Sequence, residues 1–494
     1  MKNLERNAQI ISEIESKFNV GSLKYHDIDI WPILKLVMYQ EIHTNKDSFN
    51  SKINNPIFSR ALVGYVKKIF VFIHQRIRVR SRFKKTDFLF LTRNENYNEK
   101  INNQLFDRHI DPMIDKLKDN YSCSKLKIFT KRDFFQNFYI TPYFLSGPKL
   151  NKIFINLESF DQNTQRELIN ISDYYYSSVK KHISFNYVLA YLDTISRSVD
   201  YYERILSKFA PKVVFLTCYY SPDNMGLIYA CKNLKILTVD IQHGQQGKYH
   251  SMYNGWTNKL NASYNLIPDK LWVWGNDTSY YKLGCVIGGN PFKLWNLENS
   301  EELESEKLKQ FRTNLNNKKK VILFSCSAEP NFDDLIHENV FKAMLNDDEL
   351  FWIIRLHPNS PKVFYSLMND KLNELGVVNY ELNLSQEFNL ISLFLISDVV
   401  MVNNSSVCIE ALDFDVTVIV VHEHWKIIYQ NLINDGSIYF ASTVNEMLNL
   451  IYKSNKKNNT INYNIQRMNV MFYEGIDSIL DLSDNLREKS KITA

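Results

Sequence analysis

The chain of 494 residues is poor in the two residues that punctuate loops, with 14 glycines and 12 prolines, against usual shares of roughly 7% and 5%. Collagen-like and Gly/Pro-rich low-complexity architectures are thereby excluded. The six cysteines (Cys123, Cys218, Cys231, Cys285, Cys326, Cys408) include no CxxC pair and mostly sit in apolar, strand-like runs. They read as reduced core thiols of a cytosolic protein, which excludes a disulfide framework and a zinc site. No apolar run approaches the roughly 18 to 20 residues of a membrane-crossing helix. The opening MKNLERNAQIISEIESKF is charged and amphipathic, without the apolar stretch of a secretory signal.

What is present is core-forming material. Hydrophobic residues make up 45% and charged residues 23%, with 31 Phe and 29 Tyr, enough to bury more than one core. The length predicts about three domains, or two large ones with an appendage. The net charge is only +5, and it is unevenly placed. Residues 67–85, KKIFVFIHQRIRVRSRFKK, carry eight basic residues and no acid, so the remainder sums to 5 − 8 = −3. With Ile69, Phe70, Phe72 and Ile73 as its apolar contribution, this segment reads either as a helix lying on an anionic membrane surface or as a solvated basic helix. Nucleic acid is not an expected partner, because no recognisable module accompanies the charge.

Residues 1–85 read as a helical extension, since apolar positions recur at three and four in AQIISEIESKF and DIDIWPILKLVMYQEIH. Strand and helix then alternate. DFLFLT (87–92), LKIFT (126–130), KVVFLTCYY (212–220), ILTVDIQHG (236–244) and LWVWG (271–275) belong to one domain, 86–292. VILFSCS (321–327), FWIIRLHP (351–358), VVNYEL (377–382), DVVMVN (398–403) and VTVIVV (416–421) belong to a second, 293–470. The tail 471–494 is expected to be a helix crossing back. This alternation predicts α/β architecture: two Rossmann-like doubly wound domains facing a cleft, with ligands at the carboxyl ends of the strands.

In the second domain, FWIIRL ends in His357-Pro358, and DVVMV runs into Asn403-Asn404-Ser405-Ser406 before a helix. A helix start with two hydroxyls offers backbone N–H groups to a phosphate, and a histidine on a neighbouring strand end is placed to donate to the same group. Glu410, about one turn into that helix, is a candidate acceptor for ribose hydroxyls. Arg355, Ser325 and Ser327 complete the expected donor-binding set. The alternative is that Asn404 or Ser405 only caps a helix.

RLHPN (355–359) with SDVVMVNNSSVCIEAL (397–412) resembles the C-terminal donor-binding half of GT-B glycosyltransferases. It is most similar to bacterial sialyl- and Kdo-transferases with His-Pro and Ser-Ser motifs, and to the glycerophosphotransferases of teichoic acid and capsule polymers. The resemblance covers about 100 residues. It implies a cytidine nucleotide whose phosphate meets His357, Ser405 and Ser406, with Glu410 where glycerophosphotransferases have Asp.

In the first domain, ILTVDIQHGQQGKYH places Asp240, Gln242, His243 and Gly244 at a strand end. A histidine there is positioned to deprotonate a hydroxyl, with a carboxylate orienting its ring. The segment resembles the QHG of bacterial surface-polysaccharide transferases and the WHG of glycerophosphotransferases, where the histidine is a proposed base. The acidic base motif of several sialyltransferases is not apparent, so His243, Asp240 and Asp223 all remain candidates for the base. Gly244 and Gly247 fit a loop needing positive φ or close ligand approach. The loop after the first strand, with Arg93, Arg108, His109 and Asp111, would border the acceptor, or would simply be solvated. Asp27-Ile28-Asp29 matches a metal-binding DxD pattern but lies in the helical extension, and reads as chance.

The expected activity is therefore metal- and cofactor-independent, inverting transfer of a sugar from a nucleotide donor, CMP-linked by resemblance, to a glycan or lipid-linked glycan of a surface polysaccharide. The expected location is cytoplasmic, on the inner face of the cell membrane. The alternatives are a CDP-alditol phosphotransferase, a UDP-sugar 2-epimerase-like enzyme, and a non-catalytic assembly scaffold.

Overall fold

The computed structural model describes residues 2–43 and 84–492, apart from 98, 129, 131–132, 134–135, 146, 148–154, 245, 247–248, 255, 257–263, 276–283, 300–305, 316, 404, 415 and 455–460. The chain divides into two compact units, Met1–Pro291 with Met471–Ala494, and Phe292–Val470.

The first unit is built on β1 (Phe88–Thr92), β2 (Cys123–Ile128), β3 (Tyr143–Leu145), β4 (Val213–Thr217), β5 (Leu237–Ile241), β6 (Lys270–Val273) and β7 (Cys285–Ile287). Their order across the sheet is 7-6-5-4-1-2-3, and every neighbouring pair is parallel. FLFLT, VVFLT and LTVDI are buried at all five positions, as strands covered on both faces require. The covering helices include Gln162–Val179, Phe185–Phe209 and Pro222–Asn233. Ser221 caps the last of these by accepting from Asn224 N at 3.3 Å, with Pro222 in the first turn.

The N-terminal residues belong to this unit's core. Helix Trp31–His43 has Trp31, Ile33, Leu34, Leu36, Val37 and Met38 at 0–1% exposure, the pattern of a helix enclosed on all sides. The 1–85 stretch also departs from its all-helical reading, because a short hairpin pairs Lys24–Tyr25 with Ile28–Asp29. Asp29 there forms an ion pair with Lys24 at 3.1 Å and accepts from Asn265 N at 2.6 Å, a structural use of the DxD carboxylate. Most of the basic segment 67–85 lies outside the described residues. Among the described residues, no helix is long and apolar enough to cross a membrane.

The polar stretch after β1 is also more ordered than it reads. It contains a hairpin, Glu99–Ile101 with Gln104–Phe106, whose turn residues Asn102 and Asn103 have φ of 49° and 60°. Asparagine tolerates that left-handed conformation, which suits a two-residue hairpin turn.

The second unit carries β8 (Lys320–Ser325), β9 (Leu350–Arg355), β10 (Tyr380–Glu381), β11 (Val399–Val402), β12 (Thr417–Val420) and β13 (Tyr439–Phe440). They are ordered 10-9-8-11-12-13 and parallel throughout. Both units are thus Rossmann-like α/β sheets. In each, the strand order reverses beside the first strand, between β1 and β4 and between β8 and β11, which is where such folds open a crevice at the carboxyl ends.

Candidate functional site

In the first unit, the carboxyl ends of β5, β4 and β1 bring together Asp240, Cys218 and Arg93. Asp240 is fully buried at the end of β5, and its Oδ2 accepts from Tyr253 Oη at 2.7 Å. Oδ1 has no partner among the described residues. Burial pushes the Asp240 carboxyl up to about 7, against the pull of His243 and the Tyr253 hydrogen bond. His243 is half-buried. Its Nδ1 lies 3.3 Å from Ile241 O and 3.1 Å from Gln246 Nε2. Burial holds the imidazole below its ordinary value, with the Asp240 charge opposing. The two groups at this strand end are thus shifted in opposite directions, the carboxyl up and the imidazole down, the combination that acid–base chemistry requires.

Cys218, directly after β4, has φ +57°, an uncommon conformation for a non-glycine residue. Asn224 Nδ2 donates to the carbonyls of Thr217 and Cys218, both at 3.0 Å, and so fixes that turn. Burial raises the Cys218 thiol, while the Arg93 guanidinium beside it pulls it back. Arg93 therefore reaches from β1 toward β4. Beneath it, Asn96 Nδ2 lies 3.1 Å from Asp107 Oδ2 and 3.2 Å from Thr217 Oγ1. The His109 ring lies edge-on to His243 with centroids 6.3 Å apart. Burial, then the charges of Arg108 and His243, holds His109 well below its ordinary value.

Other sequence candidates fall elsewhere. Asp111 is fully buried and paired with Lys125, so it anchors the loop instead of facing an acceptor. Asp223 lies in the first turn of helix Pro222–Asn233, 3.5 Å from Ser198 Oγ. Gln242 is consumed locally: its Oε1 accepts from Trp274 N at 2.8 Å, and its Nε2 donates to Gly244 O at 3.2 Å. Gly244 is not at positive φ, and a Cβ there would meet nothing within 4 Å among the described residues. Gly247 lies outside the described residues.

In the second unit, His357 follows β9. Its Nδ1 accepts from Asn359 N at 3.1 Å, so the neutral ring carries its proton on Nε2 and is a donor there. The strand order corrects one expectation. β8 lies between β9 and β11, so His357 and Ser405 are not on adjacent strands. Their strands are about 10 Å apart at strand spacing. β8 supplies Ser325, 4% exposed, and just beyond it Ser327, whose buried Oγ has no partner among the described residues. Ser405 Oγ accepts from Val407 N at 3.3 Å, as a helix cap does. Ser406 makes no side-chain cap, and the helix Val407–Ala411 is only five residues long. Glu410 is buried at 4% exposure. Arg355 Nη1 donates to Ser385 O at 2.8 Å and Phe388 O at 2.5 Å, so it secures that segment, while Pro358 is exposed. Asn404 lies outside the described residues.

The structure adds groups that no motif announces. Asn403 Nδ2 donates to Leu335 O at 2.9 Å while its buried Oδ1 stays unpartnered among the described residues. His337 and His422 approach edge-on with centroids 6.0 Å apart. In the first unit, Gln246 Oε1 and Trp274 Nε1 are likewise buried without partners among the described residues. Among the described residues, no group of three His, Cys, Asp or Glu is placed to hold a metal ion.

No family model matches the sequence, and no curated protein matches it. Solved structures with similar folds include a UDP-GlcNAc 2-epimerase of Neisseria meningitidis, 15% identical, with 78% of this chain and 99% of that one covered at a TM-score of 0.42. The UDP-GlcNAc 2-epimerase of Methanocaldococcus jannaschii is 14% identical, with coverages of 78% and 99% and a TM-score of 0.45. The glycotransferase of kitacinnamycin is 10% identical, with coverages of 82% and 99% and a TM-score of 0.41.

Proposed function

We propose that the chain is an enzyme acting on a nucleotide-activated sugar, and that it transfers the sugar to a hydroxyl of a glycan. The observation that carries this reading is the polar chemistry at the carboxyl edge of each sheet, taken separately. The first has an acid–base pair, Asp240 with His243. The second has groups suited to a phosphate: His357, whose Nδ1 accepts from Asn359 N, and the hydroxyls of Ser327, Ser405 and Ser406. In this reading His243 takes the acceptor hydroxyl's proton. The acceptor oxygen bonds to the anomeric carbon as that carbon's bond to the nucleotide phosphate breaks, and the leaving charge is stabilised by His357. In-line attack inverts the anomeric carbon. The donor is CMP-linked by the sequence resemblance, and the acceptor belongs to a surface polysaccharide, with residues 67–85 as contact to anionic lipid.

A second reading, a UDP-sugar 2-epimerase, rests on the same pair, since an acid and a base side by side also serve proton exchange at a sugar carbon. A CDP-alditol phosphotransferase differs in that phosphorus is attacked. Thermal shifts with CMP-sugars, CDP-alditols and UDP-sugars separate the donors, because the true donor stabilises beyond its bare nucleotide. Product formed without acceptor selects the epimerase; no stabilisation by any nucleotide conjugate overturns all three.

A further inference from the structure

Helix Trp31–His43 carries two polar side chains, Lys35 and Tyr39, that both address the segment carrying Tyr253. Lys35, 0% exposed, donates to Asn254 O at 3.3 Å and lies 3.6 Å over the Trp256 ring. Tyr39 Oη lies 3.2 Å from His250 Nε2, and the two rings stack with centroids 4.8 Å apart. His250 in turn packs edge-on against Tyr253 at 4.9 Å, and Tyr253 donates to Asp240.

We infer that this helix is a positioning element for Asp240: by gripping the segment from His250 to Trp256, Lys35 and Tyr39 hold the Tyr253 hydroxyl against Oδ2. The functional weight of this role rests on the reading of Asp240 and His243 as the acid–base pair. Filling a core does not account for the arrangement, because a leucine or methionine at position 35 would fill space without the desolvation that a lysine suffers there. Burial lowers the Lys35 ammonium to about 8 even with Glu15 opposing at 3.8 Å. Beyond its ion pair with buried Glu15 and its contact with the Trp256 ring, the lysine adds a donor aimed at the carbonyl of Asn254, the residue after Tyr253.

The test reads the Asp240 carboxyl itself, by titrating the carboxyl infrared band that disappears in Asp240→Asn, in the full chain. Tyr253→Phe removes a hydrogen bond to the charged form and raises the midpoint by about one unit. Tyr39→Phe, which keeps the ring, and Lys35→Met raise it in the same direction. Ile33→Val on the same helix lowers stability by trimming core volume and leaves the midpoint in place. A Tyr39→Phe midpoint equal to wild type while Tyr253→Phe shifts it overturns the inference, as does an Ile33→Val shift of the same size. Should Lys35→Met not fold, Tyr39→Phe decides alone. A shifted midpoint with unaltered sugar transfer leaves the positioning intact and overturns the catalytic reading instead.

Discussion

Tyr253 and Asp240 lie 13 positions apart in sequence and meet through a 2.7 Å hydrogen bond inside the first unit. The tyrosine satisfies one carboxyl oxygen, while the other has no hydrogen bond of good geometry among the described residues and feels only the weaker pull of the Tyr219 backbone. A carboxyl so placed retains its proton well above the usual range, and at about 7 it changes charge near neutrality.

Stability should follow from that titration. The unfolded value is about 3.9, so between about pH 4 and about pH 7 the folded state holds a proton that the unfolded chain has lost. Folding stability therefore falls as pH rises through this window, by up to about 4 kcal/mol from Asp240 alone. Asp240→Asn removes that dependence. Urea unfolding should show the variant gaining on wild type between pH 4 and pH 8. A difference independent of pH would place the Asp240 carboxyl in water, not in the core.

The glycines make opposite predictions. A Cβ on Gly288 would lie 1.9 Å from Cζ2 of the fully buried Trp272, whose indole donates to Gly289 O at 2.9 Å. Gly288→Ala should cost about 1–3 kcal/mol or more by overpacking. Gly244→Ala meets nothing within 4 Å among the described residues and should stay within about 0.5 kcal/mol of wild type. If its loop approaches a ligand, transfer falls while the unfolding midpoint holds. Denaturant unfolding of both variants checks the contrast.

Lys125 and Asp111 form an ion pair with both side chains at 0–1% exposure. Burial raises the Asp111 carboxyl to about 7 despite the lysine. Removing one partner of such a pair strands the other, at a typical cost of about 3–5 kcal/mol. Lys125→Met should cost more at pH 8 than at pH 5, where Asp111 escapes as the neutral acid. Lys125→Met with Asp111→Leu should cost less than the sum of the singles. Additive losses in a double-mutant cycle would mean that the two do not interact.

How much of this was legible follows from the kind of signal each residue carries. FLFLT, VVFLT and LTVDI announce parallel strands because burial on both faces leaves an unbroken apolar run. β10 and β13, with two residues each, offer no periodicity to read. Asp240 and His243 were visible as polar residues ending an apolar strand. Tyr253 was not, because its role depends on where a loop returns. Helix Trp31–His43 showed its apolar character but not its place in the core, and nothing in local pattern marks Lys35 as buried. Sequence order also made His357 and Ser405 look like neighbours, although β8, earlier in the chain, lies between their strands. Strand order depends on crossovers, which local pattern does not encode.

His357 and Arg355 give the last prediction, because they are two residues apart and do different work. His357 uses Nδ1 to accept from Asn359 N, so its neutral tautomer carries the proton on Nε2, the atom proposed to meet a nucleotide phosphate. Arg355 directs its guanidinium at the Ser385 and Phe388 carbonyls. A hydrogen bond to a charged group is worth about 1.5–3 kcal/mol, so His357→Ala should weaken nucleotide binding by about 10- to 150-fold with the unfolding midpoint unchanged. Arg355→Ala should reverse the pattern, lowering stability by about 1–3 kcal/mol through stranded carbonyls and changing affinity less. Calorimetric titration with CMP, CDP and UDP, alongside thermal unfolding, separates the two. Wild-type nucleotide affinity in His357→Ala would remove the histidine from the donor site and leave the Ser327 and Asn403 atoms, unpartnered among the described residues, as the groups to test there.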